Sequence, residues 1–405
     1  MSETTPYFPT IEAVESAAKN LEGVANVTPL VSNLQYSSTY DCNISFKRED
    51  LQVVRSYKIR GAYNKMSSLN QKESANGVVC ASAGNHAQGV ALSCKLLKIQ
   101  GTIFMPTTTP KQKIERVKMF GAQYVKIILT GDSFDDAYNA AMKDCIERQK
   151  TFIHPFNDEK VIEGQATLGL ELIHQTAASI DYIFVAVGGG GLASGMSTVF
   201  KLLSPNTKII GVEPDGAPSM KTALQKGKVV QLETIDNFVD GAAVKRVGDK
   251  NFAICKNNLH DMITIHEGCA CQTILDLYNK EAIIAEPAGA LSVSALEAYK
   301  DKIKGKNVVC IISGGNNDIT RTAEIKERAL LYSNLKHYFI ITFPQRAGAL
   351  REFVVDILGP NDDITHFEYT KKVNRENDVA VVGIELKSQI DLEPLIAKMK
   401  EDNFY

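Results

Sequence analysis

Ser56-Tyr57-Lys58-Ile59-Arg60-Gly61-Ala62 sets a lysine between an aromatic residue and a small-residue turn, after the charged segment Lys47-Arg48-Glu49-Asp50 and ahead of a helical run from Tyr63 to Leu69. An amine so placed is a candidate for covalent bonding to a carbonyl. Lysines are abundant in this chain and most lysines only keep a face solvated, so Lys58 draws its weight from its company. Three further stretches supply it: Ser82-Ala83-Gly84-Asn85-His86, Gly188-Gly189-Gly190-Gly191-Leu192 and Ser313-Gly314-Gly315-Asn316, each where a strand is expected to end.

At 405 residues the chain is too long for one ordinary core, and two or three domains are expected. Lys and Arg number 45 against 47 Asp and Glu, a balance that offers neither a basic footprint for nucleic acid nor a polybasic membrane anchor. A small molecule is the expected partner. The eight cysteines (42, 80, 94, 145, 255, 269, 271 and 310) are scattered without a CxxC pair, a pattern of reduced cytosolic thiols. Cys269-Ala270-Cys271 lacks the second pair or histidine cluster that would complete a tetrahedral set, and His266-Glu267 has Ala270 where a zinc protease helix needs its second histidine. No metal is expected. The acidic, polar amino terminus shows no apolar targeting segment and no apolar run approaches membrane-spanning length, so a cytoplasmic location is expected.

The spacing predicts a lead-in helix from Ile11 to Leu21 and then alternating strands and helices: strand Val78 to Ala81, helix Asn85 to Leu97, strand Thr102 to Met105, helix Lys111 to Phe120, strand Tyr124 to Leu129, and a helix through Phe134, Tyr138, Ala141, Met142 and Cys145. Phe152 to Phe156 is expected to begin a second series, with strands Tyr182 to Val187, Lys208 to Val212 and Val308 to Ile312 and a helix Leu192 to Leu203. Strands and helices alternating at this pitch imply α/β architecture, two wound parallel sheets with a cleft between them. Ligands collect beyond the carboxyl ends of such strands, where all the quoted motifs fall. A small α/β domain at about 52–153 is expected within a catalytic region 1–330.

Gly188 to Leu192 closes an apolar strand and opens a helix, so backbone amides can converge there on a phosphate. Gly188, Gly190 and Ala193 also spell the G-x-G-x-x-A dinucleotide pattern, and the next strand ends at Glu213, where a ribose-binding acid would sit. A nicotinamide domain, however, gives no reason for Lys58 or for the Asn85-His86 turn. Ser82 or Asn85 reads plainly as a helix cap, and a capped helix start is itself an anion site. Ser313 reads plainly as a turn serine; facing a pyridine nitrogen, its neutral hydroxyl would share a hydrogen bond without holding that nitrogen protonated. A lysine for a Schiff base, a glycine loop for a phosphate and a hydroxyl for a ring nitrogen are together the anchors of a pyridoxal 5'-phosphate site.

On these four motifs, in this order, the chain resembles the fold-type II (tryptophan synthase β-like) pyridoxal phosphate enzymes, and most closely the threonine dehydratases. The resemblance implies that Lys58 carries the cofactor and removes the alpha proton of the substrate, and that Gly188, Gly189, Gly190, Gly191 and Leu192 hold the phosphate. It further implies that Ser313 meets the ring nitrogen, that Asn85 meets the ring hydroxyl oxygen, and that the turn Ser82, Ala83, Gly84, Asn85 and His86 receives the substrate carboxylate. Glu286-Pro287-Ala288-Gly289-Ala290 matches the family in a supporting role. The implied reaction is deamination of threonine to 2-oxobutanoate and ammonia, the entry to isoleucine. Tyr57 stands where phenylalanine is the commoner neighbour of the lysine. Ser219 stands where serine racemases carry a divalent-cation acid, which weakens a racemase reading.

Beyond about Leu330 the pattern changes to strand Lys336 to Phe343, helix Ala347 to Leu358, strands Ile364 to Thr370 and Val379 to Leu386, and helix Leu392 to Lys400, most of a ferredoxin-like unit. Residues 336–405 resemble the ACT-like regulatory domain of biosynthetic threonine dehydratases, with Phe343-Pro344-Gln345-Arg346-Ala347-Gly348-Ala349-Leu350-Arg351 carrying the likeness. There is room for one such unit. The resemblance implies isoleucine as allosteric effector near Arg346, and a homotetramer. The competing readings are a serine dehydratase or racemase of the same fold, which generally lacks such a tail, and a non-catalytic amino-acid sensor, which has no use for Lys58 and Ser313.

Overall fold

The apolar runs Val78–Ala81 and Tyr182–Ala186, predicted as strands, are buried along their whole length in the computed structural model, which describes residues 6–343, 346–369 and 378–404. The chain divides into two units, 1–319 and 320–405. The helix Thr322–Tyr332 thus belongs with the tail, ahead of the expected boundary near 330.

In the first unit, strands β1 (Leu30–Ser32), β2 (Asn43–Arg48), β7 (Tyr182–Ala186), β8 (Lys208–Pro214), β9 (Asp261–Ile265) and β10 (Asn307–Ile312) form one sheet in the order β1-β2-β10-β7-β8-β9. All neighbours in it are parallel except the β1/β2 pair. Strands β3 (Val78–Ala81), β4 (Gly101–Met105), β5 (Val125–Leu129) and β6 (Thr151–Phe152) form a second, all-parallel sheet in the order β5-β4-β3-β6. Thr151–Phe152 therefore completes the small sheet rather than opening the second series. Its partner is β3, a choice that a two-residue strand cannot announce locally.

Every residue of β3, β4 and β7 is buried, as parallel strands covered on both faces must be. Ile183 and Val185 pack with Leu168 and Leu172 of helix Glu159–Gln175 and with Ala193, Met196 and Phe200 of helix Gly191–Leu203. Ser292 of helix Pro287–Ser294 donates to the Ile311 carbonyl of β10 (2.8 Å). The small sheet is filled by Val78, Cys80, Ile103 and Met105 against Val90, Ala91 and Cys94 of helix Asn85–Leu97.

The second unit pairs β11 (Lys336–Phe343), β12 (Asp363–Tyr369) and β13 (Asp378–Glu385) antiparallel in the order β11-β13-β12. Phe343, Phe353 and Phe404 meet edge to face in its core, with Leu395 and Met399 of helix Leu392–Glu401 beside them. The helix expected over Ala347 to Leu358 is a short α-turn, Ala349–Glu352, running into a π-helical turn, Phe353–Ile357. Pro344, Gln345 and Thr370 lie outside the described residues. Among the described residues no helix is long and apolar enough to cross a membrane.

Candidate active site

Strands β2, β10 and β7 are adjacent and parallel, so the segments beyond their carboxyl ends are brought together. The Lys58 segment comes after β2, Ser313 after β10, and Gly188 to Gly191 after β7. Backbone contacts tie them: the Tyr57 amide donates to the Ser313 carbonyl (3.2 Å), Ser56 bridges Gly314, and the Gly315 amide donates to the Arg55 carbonyl (2.9 Å).

Lys58 opens the helix Lys58–Ser67. Its half-buried amine donates to the Pro155 carbonyl (3.2 Å) and lies 5.2 Å from the centre of the Tyr57 ring. The helix is clamped between neighbours because its glycine contacts allow close approach. A Cβ on Gly61 would fall 2.8 Å from the Val161 carbonyl, and one on Gly164 would fall 2.5 Å from the Arg60 carbonyl. Arg60 itself, 1% exposed, is bonded through Nε and Nη2 to both oxygens of Glu49 (2.8 Å each) and through Nη1 and Nη2 to Glu171 (2.6 and 3.0 Å). Lys47 joins Glu171 at 2.7 Å. Burial alone would raise the Glu49 carboxyl; the Arg60 guanidinium overcomes it and holds the group below the usual range.

The glycine loop lies against Phe156, the residue after the carbonyl that Lys58 touches. A Cβ on Gly189 would sit 2.3 Å from the Phe156 ring, and Asn251 holds both segments, donating to the carbonyls of Gly189 (2.7 Å) and Phe156 (3.1 Å). Gly190 has φ +93°, in the left-handed region open to glycine, and as the residue before helix Gly191–Leu203 it offers no side chain to that helix's first amides. Those amides are left to an anion.

At the end of β3, Gly84 rather than Ser82 or Asn85 occupies the cap position of helix Asn85–Leu97, with no side-chain cap. Ser82 Oγ accepts from the Gly84 amide (3.2 Å). A Cβ on Gly84 would meet nothing within 4 Å, so the turn faces open space. Asn85 turns its side chain across the cleft: Nδ2 donates to Glu286 Oε1 (2.6 Å) and Oδ1 accepts from Asn316 Nδ2 (2.6 Å). The His86 ring is turned away to the Ile153 carbonyl (2.8 Å), and burial, with Lys58 as the nearest cation, pushes its pKa down to about 3. His86 is neutral at physiological pH and reaches the turn only through its backbone. Ser313 Oγ, buried, has among the described residues only the Ala288 carbonyl at 3.4 Å.

The donor set suits pyridoxal phosphate. Free helix amides suit its phosphate, the Lys58 amine its aldehyde, the weakly engaged Ser313 hydroxyl its ring nitrogen, and an Asn85 N–H its ring oxygen. The buried Ser56 hydroxyl beside Lys58 also has no partner among the described residues. The dinucleotide reading fares worse. Glu213 accepts the amides of Met220 (2.6 Å) and Lys221 (2.9 Å) at the head of helix Ser219–Lys226, and its burial pushes its carboxyl up to about 8, so it is engaged as a cap. No group of three or more His, Cys, Asp or Glu among the described residues is placed to hold a metal ion. Sequence reasoning gave no role to Arg116 or Asn316 and only a supporting one to Glu286. Asn316, three residues after Ser313, was the available signal.

In the tail, a cavity of about 690 Å³ is lined by Arg346, Leu350, Val354, Val355, Phe367 and Tyr369 among others.

The pyridoxal-phosphate dependent enzyme family matches residues 21–314, and the C-terminal regulatory domain of threonine dehydratase matches residues 327–405. The chain is 56% identical over 394 residues to L-threonine dehydratase biosynthetic IlvA of Halalkalibacterium halodurans, covering 97% of this chain and 95% of the relative. It is 55% identical over 395 residues to the protein of the same name from Bacillus subtilis, covering 98% and 94%. Among solved structures, the processed form of threonine deaminase isoform 2 from Solanum lycopersicum superposes with a TM-score of 0.74 at 39% identity, covering 80% of this chain and 96% of the other.

Proposed function

Because the chain belongs to the pyridoxal-phosphate-dependent enzymes and carries the regulatory domain of threonine dehydratase, we propose that it deaminates L-threonine to 2-oxobutanoate and ammonia by alpha,beta-elimination, under feedback control by isoleucine. The observation that carries the reading is the gathering of Lys58, Ser313 and the Gly188–Leu192 loop at the ends of three adjacent strands, with Asn85 reaching in from the small sheet.

Pyridoxal 5'-phosphate, held by Lys58, Asn85, Ser313 and the amides of Gly188 to Leu192, would withdraw electrons from the alpha carbon of a bound amino acid. The turn Ser82 to His86 orients the substrate carboxylate through backbone amides. Lys58 Nζ, fixed between the Pro155 carbonyl and the Tyr57 ring, takes the alpha proton. The beta hydroxyl then departs as water with the proton that Lys58 has taken, and a second water hydrolyses the released enamine, through its imine form, to ammonia and the 2-oxo acid. Ser313, a neutral hydroxyl, does not hold a positive charge at the ring nitrogen, which favours elimination over a long-lived carbanion.

The tail cavity has apolar walls for an aliphatic side chain and Arg346 and Arg351 for a carboxylate, matching isoleucine. A cytoplasmic homotetramer belongs to the same proposal, on family resemblance alone.

The test is the 2-oxo acid formed by purified, cofactor-loaded protein from threonine and from serine, with and without isoleucine. Dominant 2-oxobutanoate that falls on adding isoleucine is expected. Pyruvate alone would move the reading to a serine enzyme, and no oxo acid to a sensor. Lys58→Ala should abolish turnover, and light scattering checks the tetramer.

A further inference from the structure

The Asn85 amide is one member of a hydrogen-bonded chain whose direction is settled by its ends. Arg116, on helix Lys111–Gly121 of the small half, donates from Nη1 to Asn316 Oδ1 (2.7 Å). A guanidinium has no acceptor, so the oxygen of Asn316 must face it and the NH₂ of Asn316 must face away. That NH₂ is bonded to the Val54 carbonyl (2.9 Å) and to Asn85 Oδ1 (2.6 Å). The carbonyl of Asn85 is therefore taken, and its NH₂ donates to Glu286 Oε1 (2.6 Å). One N–H of Asn85 is left over, without a partner among the described residues.

We propose that Arg116, Asn316 and Glu286 are positioning residues forming a polarised relay that fixes Asn85 as a hydrogen-bond donor to the cofactor's ring oxygen and so holds that oxygen ionised. The proposal rests on the pyridoxal phosphate reading above. An amide free to rotate would present N–H or C=O with little preference, and a C=O would favour the protonated ring oxygen. The relay removes that choice, and it does so by joining the helix of the small half to loops after β10 and ahead of helix Pro287–Ser294. The Glu286 end accepts from Asn85 in either protonation state, since one carboxyl oxygen always remains an acceptor. Burial, with Asp240 as the nearest like charge, lifts Glu286 to about 7 against the bond from Asn85 and the charge of Lys113, which is itself paired with Asp240 at 2.6 Å.

The test is a pH titration of the bound cofactor's visible absorption in holoenzyme without substrate, together with the cofactor dissociation constant. In Asn316→Ala, which adds no charge, Asn85 loses its orienting donor. The pH at which the ring oxygen takes its proton should then rise by about one unit or more, the worth of a charge-assisted hydrogen bond. Asn316→Asp, nearly isosteric, keeps an acceptor for Arg116 but cannot donate to Asn85 and should shift the same way. Arg116→Met, at a residue bonded to Asn316 rather than to Asn85, should shift less in the same direction. A wild-type titration in every variant that still binds cofactor overturns the relay. A shift in Asn316→Asp with none in Asn316→Ala also overturns it, because that would be a plain charge effect. Absence of any cofactor band in the wild-type protein would instead overturn the pyridoxal phosphate reading.

Discussion

Replacing Arg60 by methionine tests whether the buried charge cluster is what holds Lys58 in place. The guanidinium makes four bonds to the carboxylates of Glu49 and Glu171, two weaker ones to Thr167 Oγ1 (3.2 Å) and the Asn26 carbonyl (3.3 Å), and is 1% exposed. Methionine fills much of the same volume, so the cost lies in the charges left behind. Glu171 keeps Lys47, but Glu49, 0% exposed, keeps among the described residues only neutral hydrogen-bond partners, Thr28 Oγ1 (2.5 Å) and Gln52, with the charge of Lys47 acting on it without a direct bond. Removing one member of a buried ion pair costs about 3–5 kcal/mol. Taking about 2–4 °C per kcal/mol, the range for somewhat smaller domains, that lowers Tm by roughly 6–20 °C at most. Thermal unfolding by circular dichroism and urea titration of the holoenzyme measure it. Glu49→Gln added to Arg60→Met should recover a good part of the loss, since the stranded charge goes, while Arg60→Lys should not, because an ammonium cannot reproduce the fork between two carboxylates. Turnover should fall with stability in Arg60→Met, since the Lys58 helix loses its anchor. Melting within about 1 °C of wild type, well under the smallest shift expected from the pair, would refute the reasoning.

Acid sensitivity is expected from His86. Its folded pKa is depressed to about 3, so its contribution to stability is fully present above the unfolded value near 6.5 and is lost as pH falls through the folded value. Urea midpoints should decline from pH 6.5 downward with a His86 share of about 1.4 kcal/mol per pH unit, absent in His86→Leu. Burial, with Lys58 as the adjacent like charge, acts in the same direction on His154, pushed down to about 4. Gly189→Ala drives a methyl into the Phe156 ring and should weaken cofactor binding at least about tenfold, with an overpacking cost of about 1–3 kcal/mol, read by cofactor titration and melting. Phe367→Arg, in the wall of the tail cavity, should shift the isoleucine inhibition curve to at least about tenfold higher concentration, the order of 1.4 kcal/mol; an unchanged curve would place the effector elsewhere.

Much of the architecture was legible because it rests on local signals. Val78 to Ala81 and Tyr182 to Ala186 read as strands since both faces are covered and every position is apolar, and Asn85 to Leu97 read as a helix by its spacing. The Ser82–His86 turn, the glycine loop and Ser313 could be picked out because each stands at an expected strand end, and Lys58 drew its weight from their company. The strand β2, Asn43–Arg48, escaped notice since it carries Lys47 and Arg48, which look solvated. Burial of Lys47 is made tolerable by Glu171 and Gln175, far along the chain, together with the Thr28 carbonyl. The two-residue β6, the break of the expected Ala347–Leu358 helix, and the use of Glu213 as a helix cap were equally hidden, as each depends on a neighbour supplied by packing. The roles of Arg116, Asn316 and Glu286 lie further still from local reading. Asn85 meets Glu286 and Asn316 at separations of 201 and 231 residues, and no periodicity or turn preference acts over such a distance. Sequence by itself determined which residues are the candidates for the chemistry, because element period and turn composition are written within a few positions. Only the tertiary structure decided how those residues are oriented, because hydrogen-bond direction depends on which donor or acceptor the rest of the fold sets opposite each one.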